Sequence, residues 1–484
     1  MNRMKLASLL LCAATLVASG AELMAGAAKR KITPDLKSGA PAYLAGFGNN
    51  RKATGVHDDL WVRCIAMSTG ARPVVICGVD LIGIFWDDVQ KIRAKVPNAD
   101  VIIAATHVHE GPDTMGMWGP ERGVSGIDNA YNAMVVETAA TAARDALVTL
   151  RPATVQIASI KPTDVAGYFD DSRPPVVNDG EILALAINDM RRERIATLVN
   201  WANHPESLGS KNTLITADWP AALYEQLESQ DAGTVVYING AVGGMQSPLG
   251  AKLKDPKTGQ PAPPETFRFA EIVGQYVAGH VRDALEEAPR AMAIDEIVYR
   301  ESIVRIPVAN QAFLGASAAD LFRGRKQMAA EKLSVSPVGY LALRVGGKPV
   351  LEVALIPGEL YPELSVGGVV PNDPGADLPG APVEPPIKAM FTAPYRMLFG
   401  LANDEIGYII PKSQWDEKPP FTFGAKKSWY GEVNSVGPDA APVIAKTMQD
   451  LVRGTPKPLM RTSYTETRLI PSFIGQEIEC PSES

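Results

Sequence analysis

The sequence predicts a mixed α/β fold in which parallel and antiparallel β-sheets are covered by helices. Three observations carry that expectation. Short runs rich in Val and Ile alternate with longer segments whose apolar residues recur at three- and four-residue spacing, the pattern of strands and amphipathic helices. The stretch YLALRVGGKPVLEVALIPGE, residues 340–359, joins two β-type runs through Gly346-Gly347, a hairpin signal that makes part of the sheet antiparallel. The 484 residues include 46% hydrophobic and 21% charged side chains, ordinary usage for a chain with a sizeable core, and length alone leaves the number of domains open.

Along the chain, residues 1–20 read as a secretory leader. MNRMK precedes the apolar run LASLLLCAATLVA and the small residues Ser19-Gly20-Ala21, so cleavage is expected after Gly20 or Ala21. The run is shorter than the ~20 residues that span a bilayer. Cys12 lacks the small residues that precede a lipid-modified cysteine. No later segment is long and apolar enough to span, so no transmembrane segment is expected in the mature chain. Strands are expected at Pro73–Val79, Val101–Ala105, Ala153–Ile160, Ala196–Ala202 and Thr234–Asn239. Helices are expected at Asp87–Val96, Asn129–Leu150, Trp219–Ser229, Thr266–Glu287, Asn310–Leu333 and Asp439–Arg453. Val366–Pro386 and Pro411–Ser428, rich in Pro, Gly and charge, read as surface loops, and the Pro-bearing segment 456–484 as an extended tail.

Of the three cysteines beyond the leader, Cys64 and Cys77 lie in apolar strand-like runs. Packing as small hydrophobes is the first expectation for them, and a bridge between neighbouring strands the second. The charge balance is 47 Lys+Arg against 54 Asp+Glu, net −7, with no basic run. That composition argues against a nucleic-acid partner.

The chemistry concentrates in five histidines, at 57, 107, 109, 204 and 280. Thr106-His107-Val108-His109 follows the run VIIAA, and residues i and i+2 of a strand share a face, so two imidazoles would point into one pocket. Two satisfied polar residues at a strand end fit the His-x-His pattern equally well. The abrupt turn Glu110-Gly111-Pro112 favours a site. His204, before Pro205, stands at the end of a second β-type run. His57 is either a substrate group or a solvated loop residue beside Asp58 and Asp59, and His280 reads as a packed helix residue. A His-x-His-x-Asp-His site fails at Gly111-Pro112. No Gly-x-Ser-x-Gly elbow, phosphate loop or Cys-x-x-Cys zinc site occurs.

Four motifs then carry a resemblance. Thr106-His107-Val108-His109-Glu110-Gly111-Pro112 resembles the Thr-His-Thr-His-Ser-Gly-Pro signature of the neutral/alkaline, non-lysosomal ceramidases. Asn200-Trp201-Ala202-Asn203-His204-Pro205, with the acidic segment Thr216-Ala217-Asp218-Trp219-Pro220 after it, resembles that family's second histidine motif. Ile356-Pro357-Gly358-Glu359 is similar to its Pro-Gly-Glu motif, and Asn403-Asp404-Glu405-Ile406-Gly407-Tyr408 to its Asn-x-x-x-Gly-Tyr element. Their order agrees from about residue 25 to about residue 452.

The resemblance implies one zinc ion held by His107, His204, Glu359 and Tyr408, a donor set able to activate water for hydrolysis. It implies that His109 and Tyr430 act on the developing oxyanion or its proton and that Ser247 is an active-site contact; His57 and Asp218 are the candidate substrate-binding residues. Two departures bear on substrate. The family's Gly-Asp-Val-Ser-Pro segment is replaced by Gly240-Ala241-Val242-Gly243-Gly244-Met245-Gln246-Ser247-Pro248, so Ser247 is either a contact or a turn residue, and the Asn-Arg-Arg region is not reproduced at 168–173. No room remains for the family's C-terminal β-sandwich after the last helix. The expectation is therefore a single large zinc hydrolase domain at 21–455, exported to the periplasm or secreted, cleaving an amide of a small-molecule or lipid-like N-acyl substrate. Esters or carbohydrates on the same fold, and a metal-containing protein that only binds, are the alternatives.

Overall fold

The computed structural model describes residues 22–455 apart from 172 and 245, so the leader and the tail expected at 456–484 lie outside the described residues. Eight strands make the larger sheet: β1 (Met24–Lys31), β2 (Trp61–Ser68), β3 (Val74–Val79), β4 (Asp100–Ala105), β5 (Arg151–Ile160), β6 (Ile182–Asp189), β7 (Arg194–Trp201) and β8 (Thr234–Asn239). Their spatial order is β8-β7-β6-β5-β1-β2-β3-β4. Only the outer pairs β7/β8 and β3/β4 are parallel. Downstream come β9 (Glu296–Pro307), β10 (Leu333–Val345), β11 (Lys348–Leu355), β12 (Glu359–Leu360), β13 (Tyr395–Phe399) and β14 (Tyr408–Ile409). The order β9-β10-β11-β13 forms the second sheet, and β12 pairs with β14 alone.

The two sheets stack face to face. Ile65, Ile76, Ile102, Leu185 and Val236 of the first share one core with Leu341, Leu351, Val353 and Phe399 of the second. Helices cover the outer faces: α1 (Trp86–Ala94) and α2 (Asn129–Val148) over one half of the large sheet, α3 (Trp219–Glu228) and α4 (Phe267–Glu287) over the other. Beyond them come α5 (Gln311–Ala318), α6 (Lys326–Glu331), α7 (Pro362–Val366), α8 (Tyr430–Val433) and α9 (Ala440–Arg453), which covers the outer face of the second sheet. Mixed sheets under helical cover are thus the architecture. No helix among the described residues is long and apolar enough to cross a membrane.

Two expectations are corrected. Cys64 and Cys77 do not pack as separate thiols: antiparallel pairing of β2 with β3 sets them directly opposite, Cα atoms 4.1 Å apart, and they form a buried disulfide. The helix expected over Asn310–Leu333 divides into α5 and α6, because Asp320 and Gly324 take positive φ (60° and 82°) and Leu333 already belongs to β10. The hairpin at Gly346-Gly347 forms as expected, with Val345 opposite Lys348. Strand β1 was missed because its sequence MAGAAKRK carries no β-branched residue, and its pairing between β2 and β5 decides its conformation.

Candidate active site

The C-terminal ends of β4, β7 and β8, strands from the two opposite ends of the sheet order, come together, and the loops leaving them are tied together by Asn239. Its Oδ1 accepts from the backbone N–H of Asn203 and Gly240 and from the Tyr237 hydroxyl, and its Nδ2 donates to the Thr106 carbonyl at 3.1 Å. This knot brings the loop after β4 beside the loop after β7. His107 is no longer in a strand: β4 stops at Ala105 and His107 has φ +69°, so the shared-face argument for His-x-His does not hold. The rings meet nonetheless through the turn. His107 and His109 have centroids 5.0 Å apart, His107 and His204 4.9 Å. All three imidazoles are buried, with one nitrogen from each within 4.8 Å of the others.

Two of these histidines have fixed tautomers. His107 Nδ1 donates to the Ile82 carbonyl at 2.6 Å and His204 Nδ1 to the Gln246 carbonyl at 2.8 Å. Each neutral ring then presents its Nε2 lone pair inward. Both lone pairs face the same carboxylate oxygen, Glu359 Oε2, at 3.4 Å from His107 and 3.1 Å from His204. Three acceptors in that arrangement repel one another unless a proton or a metal cation is shared between them. The electrostatics express this: burial raises the Glu359 carboxyl, but the facing imidazoles outweigh burial and hold it well below its usual range. Burial lowers His204, but Glu359 and Glu206 lift it above its usual value. Metal ligands at zinc's usual 2.0–2.1 Å in a tetrahedron stand about 3.3 Å apart, so the donors present fit zinc.

Parallel pairing of β12 with β14 puts Tyr408 in register with Glu359. Burial first, and then Glu359, push the Tyr408 phenol well above its ordinary value. Tyr430 opens α8, its ring centroid 5.9 Å from that of Tyr408, and its hydroxyl is pushed up to about 12 by burial and by the nearby Glu359 and Glu206. His109 is held well below the ordinary histidine value, by burial first and then by His107 and His204. Its ring packs on Gly46, where an added Cβ would lie 2.3 Å from Nδ1, and on the edge of Phe47.

His107, His109, Glu359, Tyr408 and Tyr430 all line one cleft. Its remaining walls are mainly apolar: Phe85, Met115, Met117, Trp118, Phe313, Phe322 and Met328. The charge of Arg325 within the cleft is engaged by Asp404, which is fully buried.

Ser247 borders this site, whereas His57, Asp218 and His280 lie elsewhere. Ser247 accepts from Leu249 N–H as the cap of a short turn, and stands beside Glu206. His57 stacks on Phe267 at 3.6 Å and pairs with Asp58, and Asp218 caps α3. These two line a second cleft with Trp61 and Tyr224, not the cleft that His107 and His109 line. His280 packs edge-on against Tyr276, as a helix residue would. The sequence reading missed Glu206, two residues after His204, whose Oε2 is 3.1 Å from His109 Nδ1. It also missed Arg51, which donates to the carbonyls of Ala45 and His109 and so holds the histidine turn against the Gly46 loop. The His204-Pro205-Glu206 spacing could have found the first; nothing local marks the second.

No protein-family model matches the chain, and no curated protein matches it by sequence. Solved structures do match. A ceramidase complexed with C2 superposes with a TM-score of 0.67 over 89% of this chain and 75% of that one, at 16% identity. A neutral ceramidase from Pseudomonas aeruginosa gives 0.67 over 90% and 76%, again at 16% identity. The chain therefore has a ceramidase-like fold.

Proposed function

We propose that the protein is an exported zinc-dependent hydrolase that cleaves the amide bond of an N-acyl compound bearing an apolar group. The observation that carries this reading is the convergence of two tautomer-fixed Nε2 lone pairs on one Glu359 oxygen, at the end of an apolar cleft. His107, His204, Glu359 and Tyr408 would hold the metal. Zinc bound there supplies Lewis-acid polarisation of a carbonyl and lowers the pKa of water. The ceramidases that share the fold make amide cleavage the first chemistry to test.

The chain's own residues have separable tasks. Neutral at physiological pH, His109 can take a proton at one ring nitrogen and return it to the departing amine. Glu206, against His109 Nδ1, orients the ring and stabilises its charged form. The Tyr430 hydroxyl keeps its proton through the neutral range and can donate to the oxygen that gains charge as the carbonyl turns tetrahedral. Aromatic and methionine walls exclude water and favour an uncharged hydrocarbon group. Export rests on the leader-like N-terminus and on the Cys64–Cys77 disulfide, a bond that persists in oxidising compartments.

The test is zinc per chain by plasma mass spectrometry, in the purified mature protein and in His204→Ala and Glu359→Gln variants, followed by matched amide and ester substrates. About one zinc in the parent, clear loss in both variants and amine release from the amide support the reading. Parent-like occupancy in both variants breaks the ligand assignment. Full occupancy without turnover on either substrate leaves a metal-containing binding protein.

A further inference from the structure

Helix α8 has four residues, Tyr430–Val433, and no side-chain cap, so one turn of helix must be held in place by what it touches. Its first residue lines the cleft; its other side faces the protein interior. Gly431 lies so close to Tyr361 that an added Cβ would be 2.0 Å from the Tyr361 hydroxyl oxygen. Glu432, 2% exposed, finds no hydrogen-bond donor for either carboxylate oxygen among the described residues, and Arg173 Nη2 stands 3.5 Å from Oε1. Arg173 is itself 3% exposed, donates to the Gln414 carbonyl at 2.6 Å and lies over the Tyr361 ring at 5.0 Å. Neither member of the pair lines the cleft.

The same turn is joined to the strand that carries Tyr408. Asn434 Nδ2 donates to the Tyr430 carbonyl at 3.2 Å, and the Tyr408 N–H donates to the Asn434 carbonyl at 3.0 Å. Tyr361, Tyr408 and Tyr430 form a row with successive centroids 6.0 and 5.9 Å apart. Arg173 supports that row from behind at Tyr361, and Glu432 ties it to α8.

We propose that the buried Arg173–Glu432 pair is the positioning element of this cleft, fixing α8 and with it the place of the Tyr430 hydroxyl. The proposal rests on the hydrolase reading for its kinetic consequence and on geometry alone for its structural one. Arg173 and Glu432 touch no substrate. A buried ion pair with one partner removed leaves an uncompensated charge, so the turn that carries Glu432 is the element that yields. The cleft walls that bind the apolar group are untouched, which separates turnover from binding.

Arg173→Met and Glu432→Gln are made in the full mature, zinc-loaded chain and in a Tyr430→Phe background. Hydrogen exchange of residues 427–436 is read by mass spectrometry, and kcat and KM are read on an N-dodecanoyl aminocoumarin amide. Exchange in that segment is expected to rise about tenfold in both variants and to stay at the parent level elsewhere. For turnover, kcat falls by about 100-fold with KM within about threefold, and the same changes in the Tyr430→Phe background lower kcat less than about threefold further. Should Arg173→Met fail to fold, Arg173→Lys, which keeps the charge but loses the planar fork, is read by the same exchange and shows a smaller rise. Unchanged exchange at 427–436, acceleration spread over the whole chain, or losses that multiply with Tyr430→Phe overturn the proposal. A parent that hydrolyses nothing defeats the hydrolase reading, and exchange then decides the anchoring by itself.

Discussion

Asp80, at the end of β3, shows what one buried carboxyl does here. It is fully buried, accepts from the Trp61 N–H at 2.9 Å and from the Tyr224 hydroxyl at 3.1 Å, and burial raises it to about 6 against the partial compensation of Arg63. Because its folded-state pKa lies above its unfolded one, the folded chain binds the extra proton between about pH 4 and pH 6. Its contribution to stability is present below that window and is lost as pH rises through it. Asp80→Asn removes the titration, so urea unfolding of the parent should lose on the order of 2 kcal/mol more than the variant between pH 4 and 7. Equal pH dependence in both proteins would show that Asp80 ionises freely in the folded state. At this same scale the sequence, through its resemblance, singled out His107, His204, Glu359 and Tyr408. Arg51, Glu206 and Glu432 stayed hidden because a charged residue signals function only once its burial and its partner are known.

Short elements in this protein take their form from their neighbours. Two-residue strands β12 and β14 exist because they pair with each other, which is what aligns Glu359 with Tyr408. The disulfide is likewise a consequence of register: Cys64 and Cys77, 13 apart in sequence, became opposite only when β2 paired with β3. A loop of that length closed by a disulfide contributes about 3 kcal/mol in the chain-entropy account. Cys64→Ala/Cys77→Ala should lower stability by about that amount in denaturant melts, and thiol titration of the unreduced, unfolded parent should find neither cysteine free. Two reactive thiols at these positions would refute the bridge. The long helices α2, α4 and α9 were legible from their period, whereas strands β2, β6 and β9 were not anticipated. The segment between β9 and β10 was not legible either, since an apolar spacing does not reveal where positive-φ residues break the helix.

On the scale of the molecule, the candidate site joins both halves of the chain. His107 and His204 follow strands of the large sheet, whereas Glu359 and Tyr408 belong to β12 and β14, next to the second sheet. A metal held by all four would link loops far apart in sequence, and binding to the folded state alone stabilises it by mass action, by about 4 kcal/mol at a thousandfold excess over Kd. Chelation should therefore lower the melting midpoint by several degrees, and added zinc should restore it while added magnesium does not. A midpoint indifferent to chelator would mean that the four donors hold no metal. The sequence by itself determined the layer composition, the hairpin and the order of the four motifs that carry the resemblance, because hydrophobic period, turn residues and short local patterns are written in neighbouring positions. Tertiary structure alone decided that His57 and Asp218 face a different cleft from His107 and His109, that Cys64 meets Cys77, and that Arg173 stands beside Glu432 of α8. Those facts depend on strand register and on contacts across hundreds of residues, where free energy is set by which groups are buried together and not by which are adjacent in the chain.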